Sequence, residues 1–250
     1  PKPPHPLPPP PSPPPDTEQG TVALLNRLWS AGRPASNLAD AGVVMRVFDG
    51  QERADRPWMP NPKSVNGDHF ATSIVNKQYP DIFEGGNSWE IIRKPGLVLA
   101  SSPEVQRRIS CAYYKDAGSD GKTCPKRGGN EWCIPGCNKN WCEDGRKWDC
   151  GYPPHLLHEM MNRQARETPP GPADASKMAY GYNEIILDVW RQPWEDSLPE
   201  AIVAFFVQPL ATAAEKRAAR YAHQRYVSDK DMLDTHPATL GRTPLVTYDP

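Results

Sequence analysis

The sequence lacks several features that would assign it to a common class. Its 29 basic and 30 acidic residues give a net charge of -1, so no field of one sign is available to attract a nucleic acid. No run approaches the roughly 18 apolar residues that a membrane helix needs. The composition therefore argues against a nucleic-acid partner and against a membrane span.

Common catalytic motifs are also missing. The chain contains no G-x-S-x-G, no P-loop and no G-x-G-x-x-G. The segment HLLHE at residues 155–159 differs in order from the zinc-protease motif H-E-x-x-H. The segment SDKDMLD has neither the glycine nor the terminal glutamate of a calcium loop. A helix-capping or loop role is therefore expected for its aspartates, Asp229, Asp231 and Asp234. The sequence indicates neither an enzyme nor a cofactor.

What the sequence does have is a cluster of cysteines between residues 111 and 150, with none elsewhere. The spacings include no C-x-x-C pair, and close pairs of the kind that hold zinc are not cleanly repeated. We expect three disulfides that staple a loop, with the pairing left open; zinc completed by His155 and His158, or free thiols, are the alternatives. The cysteines are Cys111, Cys124, Cys133, Cys137, Cys142 and Cys150.

Three disulfides imply a particular compartment. Disulfides form and persist in oxidising surroundings, so we expect a secreted protein at an extracellular surface or in a cell wall. The printed chain begins with Pro1 rather than Met, which fits the removal of an upstream signal peptide.

Aromatic residues accompany the cysteines. They form either a small core against the bridges or an exposed face for sugars or for a partner's proline rings. The candidate binding residues are Trp132, Trp141, Trp148 and Tyr152.

The amino-terminal segment, residues 1–20, is rich in proline, and 31 prolines occur in the whole chain. Proline fixes φ and donates no backbone hydrogen bond, so residues 1–15 are predicted to form a polyproline II rod. At about 3.1 Å per residue the rod would span roughly 45 Å. The tail is therefore long enough to reach a neighbouring molecule.

The run PPPPSPPP resembles the proline-rich segments of extensins and of algal hydroxyproline-rich cell-wall glycoproteins. The resemblance implies hydroxylated prolines that carry short glycans. It involves Pro8, Pro9, Pro10, Pro11, Ser12, Pro13, Pro14 and Pro15.

Residues 21–250 are predicted to form one globular domain with the cysteine-rich insertion at 111–150. Helical periodicity covers TVALLNRLWSAG, HLLHEMMNRQARE and ATAAEKRAARYAHQRYVS. Strand patterns cover VVMRVF, HFATSIVNK, PGLVLASS, RRISCAYY, NEIILDVW, AIVAFFVQ and TPLVTYDP. Since strands and helices do not alternate strictly, we expect an α+β fold with a mixed or mostly antiparallel sheet and flanking helices.

Two further resemblances bear on function. The first is to a cysteine-rich module of secreted algal and dinoflagellate proteins, which this chain resembles at YPPH (152–155), YNEII (182–186) and LPEAIVAFF (198–206). The likeness covers roughly residues 90–250 and implies a location rather than an activity. The strand NEIILD followed by IVAFFV is similar to the glutamate-bearing end of mono-ADP-ribosyltransferases.

That second family uses an arginine on an early strand, a serine-containing strand and a late glutamate. Arg46, Thr72, Ser73 and Glu184 occur in that order. The chain departs from the family because it has no S-T-S, and Tyr182 stands where a paired glutamine or glutamate is usual.

Taken together, these features predict an extracellular structural or assembly glycoprotein of a cell wall, matrix or surface filament. Its partners would be further copies, reached through the proline tail, or other wall glycoproteins, with glycans as possible ligands. A carbohydrate-binding wall module and a diverged mono-ADP-ribosyltransferase-like enzyme are the alternatives.

Overall fold

The computed structural model describes residues 17–48, 52–59, 70–77, 94–113, 152, 154–167, 183–187, 200–235 and 242–248. The proline tract (residues 1–15) and every cysteine except Cys111 lie outside these residues, as do Trp132, Trp141 and Trp148.

Seven strands form one mixed sheet in the order β4-β5-β2-β1-β3-β6-β7. Neighbouring strands are antiparallel except β6 and β7, which are parallel. The strands are β1 (Val43–Val47), β2 (Phe70–Val75), β3 (Gly96–Leu99), β4 (Ile109–Tyr113), β5 (Glu184–Leu187), β6 (Ile202–Val207) and β7 (Leu245–Thr247).

Helices accompany the sheet. They are α1 (Glu18–Ala31), α2 (Leu38–Ala41), α3 (Pro103–Arg107), α4 (Leu157–Glu167), α5 (Ala213–Val227) and α6 (Lys230–Thr235), with a 3-10 turn at Pro154–Leu156 before α4. The sheet together with these helices confirms the α+β class.

The long helices begin and end where their sequences provide caps. The Thr17 side chain accepts a hydrogen bond from the Gly20 backbone at the start of α1, and Gly32 follows its last residue. At the start of α5, Thr212 and Glu215 form a reciprocal capping box. Both helices therefore have defined first turns.

Alternation of side chains along β1 divides the core between the two faces of the sheet. Val44 packs with Tyr226 of α5 in the larger cluster, whereas Val43 and Met45 pack with Leu25 of α1 in the second. Helices α1 and α5 therefore cover opposite faces.

An aromatic group anchors α5 to the larger cluster. The Tyr226 ring lies 5.2 Å from the Trp58 ring, edge to face, and 5.1 Å from the Phe205 ring. Burial raises the pKa of the Tyr226 hydroxyl above its ordinary value. The turn at residues 56–59 thus contributes the large side chain of Trp58 to the core.

Gly96 marks the closest approach between β3 and its neighbours. A Cβ atom there would lie 2.1 Å from the carbonyl oxygen of Arg46 and 2.5 Å from Cε1 of Phe206. The contact involves backbone, which cannot rotate away, so only glycine fits at this position without a shift of β1.

We predict that Gly96→Ala lowers the free energy of unfolding by about 1–3 kcal/mol, as overpacking of a close-packed core does. The measurement is the urea midpoint followed by circular dichroism. An unchanged midpoint would show that β1 and β3 separate without cost at this position.

Candidate functional site

The sheet order brings together the strands that carry the ADP-ribosyltransferase-like residues. Strands β5, β2 and β1 are consecutive neighbours. Met45 is paired with Ser73 across β1 and β2, and Thr72 is paired with Ile185 across β2 and β5. Each residue of the resemblance is one of these paired residues or the next one along its strand. The residues are Arg46, Thr72, Ser73 and Glu184.

The same four residues divide between the two faces of the sheet. Side chains two residues apart on a strand point to the same face. Arg46 is two residues after Val44, and Thr72 lies midway between Phe70 and Ile74, all of which belong to the larger cluster. Arg46 and Thr72 therefore face the α5 side. Ser73 pairs with Met45 on the α1 side, and Glu184 precedes the α5-side residue Ile185. The four side chains therefore do not form one constellation.

Arg46 is engaged by its own chain. Its Nη1 donates to the carbonyl oxygen of Ala71 at 2.9 Å, its Nη2 lies 3.6 Å from Oε1 of Glu52, and its guanidinium lies 4.8 Å from the centre of the Phe70 ring. The side chains of Arg46 and Glu52 are only 7% and 8% exposed. Removal of one member of a buried ion pair leaves an uncompensated charge and typically costs about 3–5 kcal/mol. The pair thus has a structural role whatever else it does.

Asn183 extends the pairing of β5 with β2. Its Oδ1 accepts from the backbone N–H of Ile74 at 2.7 Å, and its Nδ2 donates to the Ile74 carbonyl at 2.7 Å. The amide side chain thereby occupies the place of a further strand residue. Thr72 adds a second link, since its hydroxyl donates to the Ile185 carbonyl at 2.9 Å. Within YNE, the asparagine therefore acts as a clamp, a role that sequence reasoning missed.

The cysteine-rich insertion has a closed base. Ala112 in β4 and Tyr152 exchange two backbone hydrogen bonds, of 2.9 and 2.6 Å, across an antiparallel bridge. The two ends of the segment between them therefore lie side by side. Cys111 lies in β4, opposite Ile186 of β5.

The structure places Tyr152 in the larger core cluster, where it is 6% exposed. This burial gives the tyrosine a packing role at the base of the insertion rather than a place on an open aromatic face. A binding role for Trp132, Trp141 and Trp148 stays a prediction, since these residues lie outside the described part of the chain.

The remaining candidate ligands are dispersed or engaged. His155 is exposed and His158 is half-buried, and no group of three metal-binding side chains occurs in the described ranges. Asp229 and Asp231 accept from Arg56 at 3.1 and 3.2 Å. Asp229 directly precedes α6, which agrees with the loop or capping role expected for it, whereas Asp231 and Asp234 lie within that helix.

Comparison with known proteins gives no relative: no family model, no curated protein and no solved structure matches the chain. Any function proposed for the protein therefore depends on its own residues.

In the part of the chain that the structure covers, no helix has both the length and the apolar character needed to cross a membrane.

We predict that Asn183→Ala destabilises the fold, because both backbone groups of Ile74 lose their partner. Each buried orphan costs about 1–3 kcal/mol. Urea unfolding measures the loss, and Asn162→Ala, at an exposed position of α4, is the matched control. Equal midpoints for the two variants would contradict the clamp.

Proposed function

We propose that the protein is an extracellular structural or assembly glycoprotein of the algal type, whose proline tail docks on a neighbouring subunit. The observation that carries the proposal is that all six cysteines fall within residues 111–150, five of them in the segment that the Ala112–Tyr152 bridge closes at its base. A long irregular loop needs cross-links to hold a shape, and disulfides provide them in an oxidising compartment.

The position of Cys111 constrains the bridging pattern. Among the cysteines it alone belongs to the described residues, in strand β4, and the other five are at positions 124 to 150 of the sequence. If all six are paired, one bridge joins Cys111 in β4 to the insertion, and the four remaining cysteines form two bridges inside it. The insertion would then be tied to the sheet by a covalent link beside the Ala112–Tyr152 bridge.

The attachment point of the tail is also suited to docking. Helix α1 begins at Glu18, and its cap Thr17 is exposed. The proline tract therefore joins the head at a surface helix end. A rod that a neighbour receives in this way makes a heterologous contact, which propagates into open filaments when the rotation does not close.

We predict that peptide mapping of the native protein without reduction finds sugar-bearing hydroxyprolines within residues 1–15. It should also find three bridges, with Cys111 linked to a peptide from residues 124–150. Unmodified prolines together with six free thiols, or a bound zinc ion, would contradict the proposal.

A second candidate function, ADP-ribosyl transfer, has one observation in its favour: the adjacency of β5, β2 and β1. In such an enzyme Glu184 would stabilise the cationic ribose as nicotinamide leaves. Arg46 would have to exchange Glu52 for a phosphate of NAD, because its guanidinium now faces that carboxylate. The division of the four residues between two faces weighs against this candidate.

Calorimetric titration with NAD tests the enzyme directly. Under this candidate NAD binds, slow release of nicotinamide follows, and Glu184→Gln abolishes the release while Glu159→Gln, at an exposed position of α4, does not. Absence of both binding and release from the unaltered protein would end it.

A further inference from the structure

We propose that the outward face of helix α5 receives the proline tail of a second copy. This docking site deepens the proposed function and rests on it. The face, here called the α5 strip, consists of Ala214, Arg217, Ala218 and Tyr221, together with Leu210 in the turn that precedes the helix.

Exposure first singles out this strip. Among the described residues, the large apolar side chains that stand exposed are Leu210, at 83%, and Tyr221, at 53%. Neither side chain is needed in a core cluster. An aromatic ring held outward on a rigid element is the feature that proline-rich rods bind.

Helix geometry shows that these residues form one continuous surface. Ala214, Arg217, Ala218 and Tyr221 recur at spacings of three and four, which align on one side of an α-helix. The side of the helix that carries Ala219, Ala222 and Tyr226 packs against the sheet. Because the capping box fixes the first turn, the strip is formed before any partner binds.

The shape of the strip suits a rod. Ala218, three residues before Tyr221, leaves space on one side of the tyrosine ring, while Arg217, four residues before it, lies on the other. Helix α5 has 15 residues and is therefore about 22 Å long, which about seven residues of polyproline II would cover. The tract of 15 residues is long enough to lie across the whole strip.

Charge favours the tail over other rods. Arg217 and Arg220 are exposed, and within the described ranges neither guanidinium has an ion-pair partner. The proline tract is followed directly by Asp16. A rod that lies along Tyr221 with its acidic end near these arginines would pair opposite charges.

The layers of the fold favour a second copy as the source of the tail. The tract leaves from the start of α1, and α1 covers the face of the sheet opposite to α5. To reach its own α5 strip, a tail would have to turn around an edge of the sheet. A neighbour's tail can approach the strip directly.

The test is sedimentation of the full-length protein over a range of concentrations, with a synthetic peptide of residues 1–16 as competitor. Tyr221→Ala and the double variant Arg217→Glu, Arg220→Glu should each weaken self-association by at least about tenfold, the effect of removing one central anchor. Arg27→Glu, at an exposed position of α1, is the matched control and should change nothing.

Three results would overturn the inference, and they separate it from the proposed function. Self-association that the peptide blocks but the α5 variants leave intact would place the tail elsewhere on a neighbour and keep the proposed function. A monomer in which an α5 variant releases a tail bound in the same molecule would refute the second copy. Association that the peptide fails to block would refute tail docking altogether.

Discussion

The described structure depends on the burial of strand β1 on both faces and its pairing at both edges. Val44 is registered with Ile74 of β2 on one side and with Leu99 of β3 on the other. Its neighbours Val43 and Met45 point to the opposite core cluster. Because one strand joins both clusters, the helices on the two faces are held in a fixed relation, and so are the surfaces that they present.

The central position of β1 also explains why Arg46 is buried. A charged side chain on a strand with two covered faces has no route to water, so it needs partners within the protein. Glu52, Phe70 and the Ala71 carbonyl provide them. The arginine that resembles a catalytic residue in the sequence is thereby part of the device that holds the segment after β1 against the sheet.

Local patterns in the sequence were sufficient to predict most of the elements. Strand β6 is an unbroken run of apolar residues, and β1 is apolar except for Arg46. Helix α5 has alanine-rich periodicity with a capping sequence. The short helices α2, α3 and α6 were missed, since four to six residues are too few to show a period. The strand order could not be predicted because it depends on contacts between distant segments.

The same limit applies to the site. Two contacts depend on how the chain folds and have no sequence motif that predicts them. They are the ion pair of Arg46 with Glu52 and the hydrogen bonds of Asn183 to Ile74. Tyr152 was grouped with three tryptophans by proximity in sequence, yet its backbone pairs with Ala112 and its ring lies in the core. The sequence alone did identify two segments of unusual chemistry. They are the cluster of six cysteines at residues 111–150 and the proline-rich tail at residues 1–15.

We propose that the protein is a subunit with a pinned insertion and a proline tail that assembles outside the cell. That proposal requires all six cysteines to be oxidised in the native protein. The measurement is a titration of thiols in the denatured but unreduced protein. We expect no reactive thiol before reduction and six afterwards, given the six cysteines of the chain. Six reactive thiols before reduction would show that the cysteines are unpaired and that the proposed extracellular location is wrong.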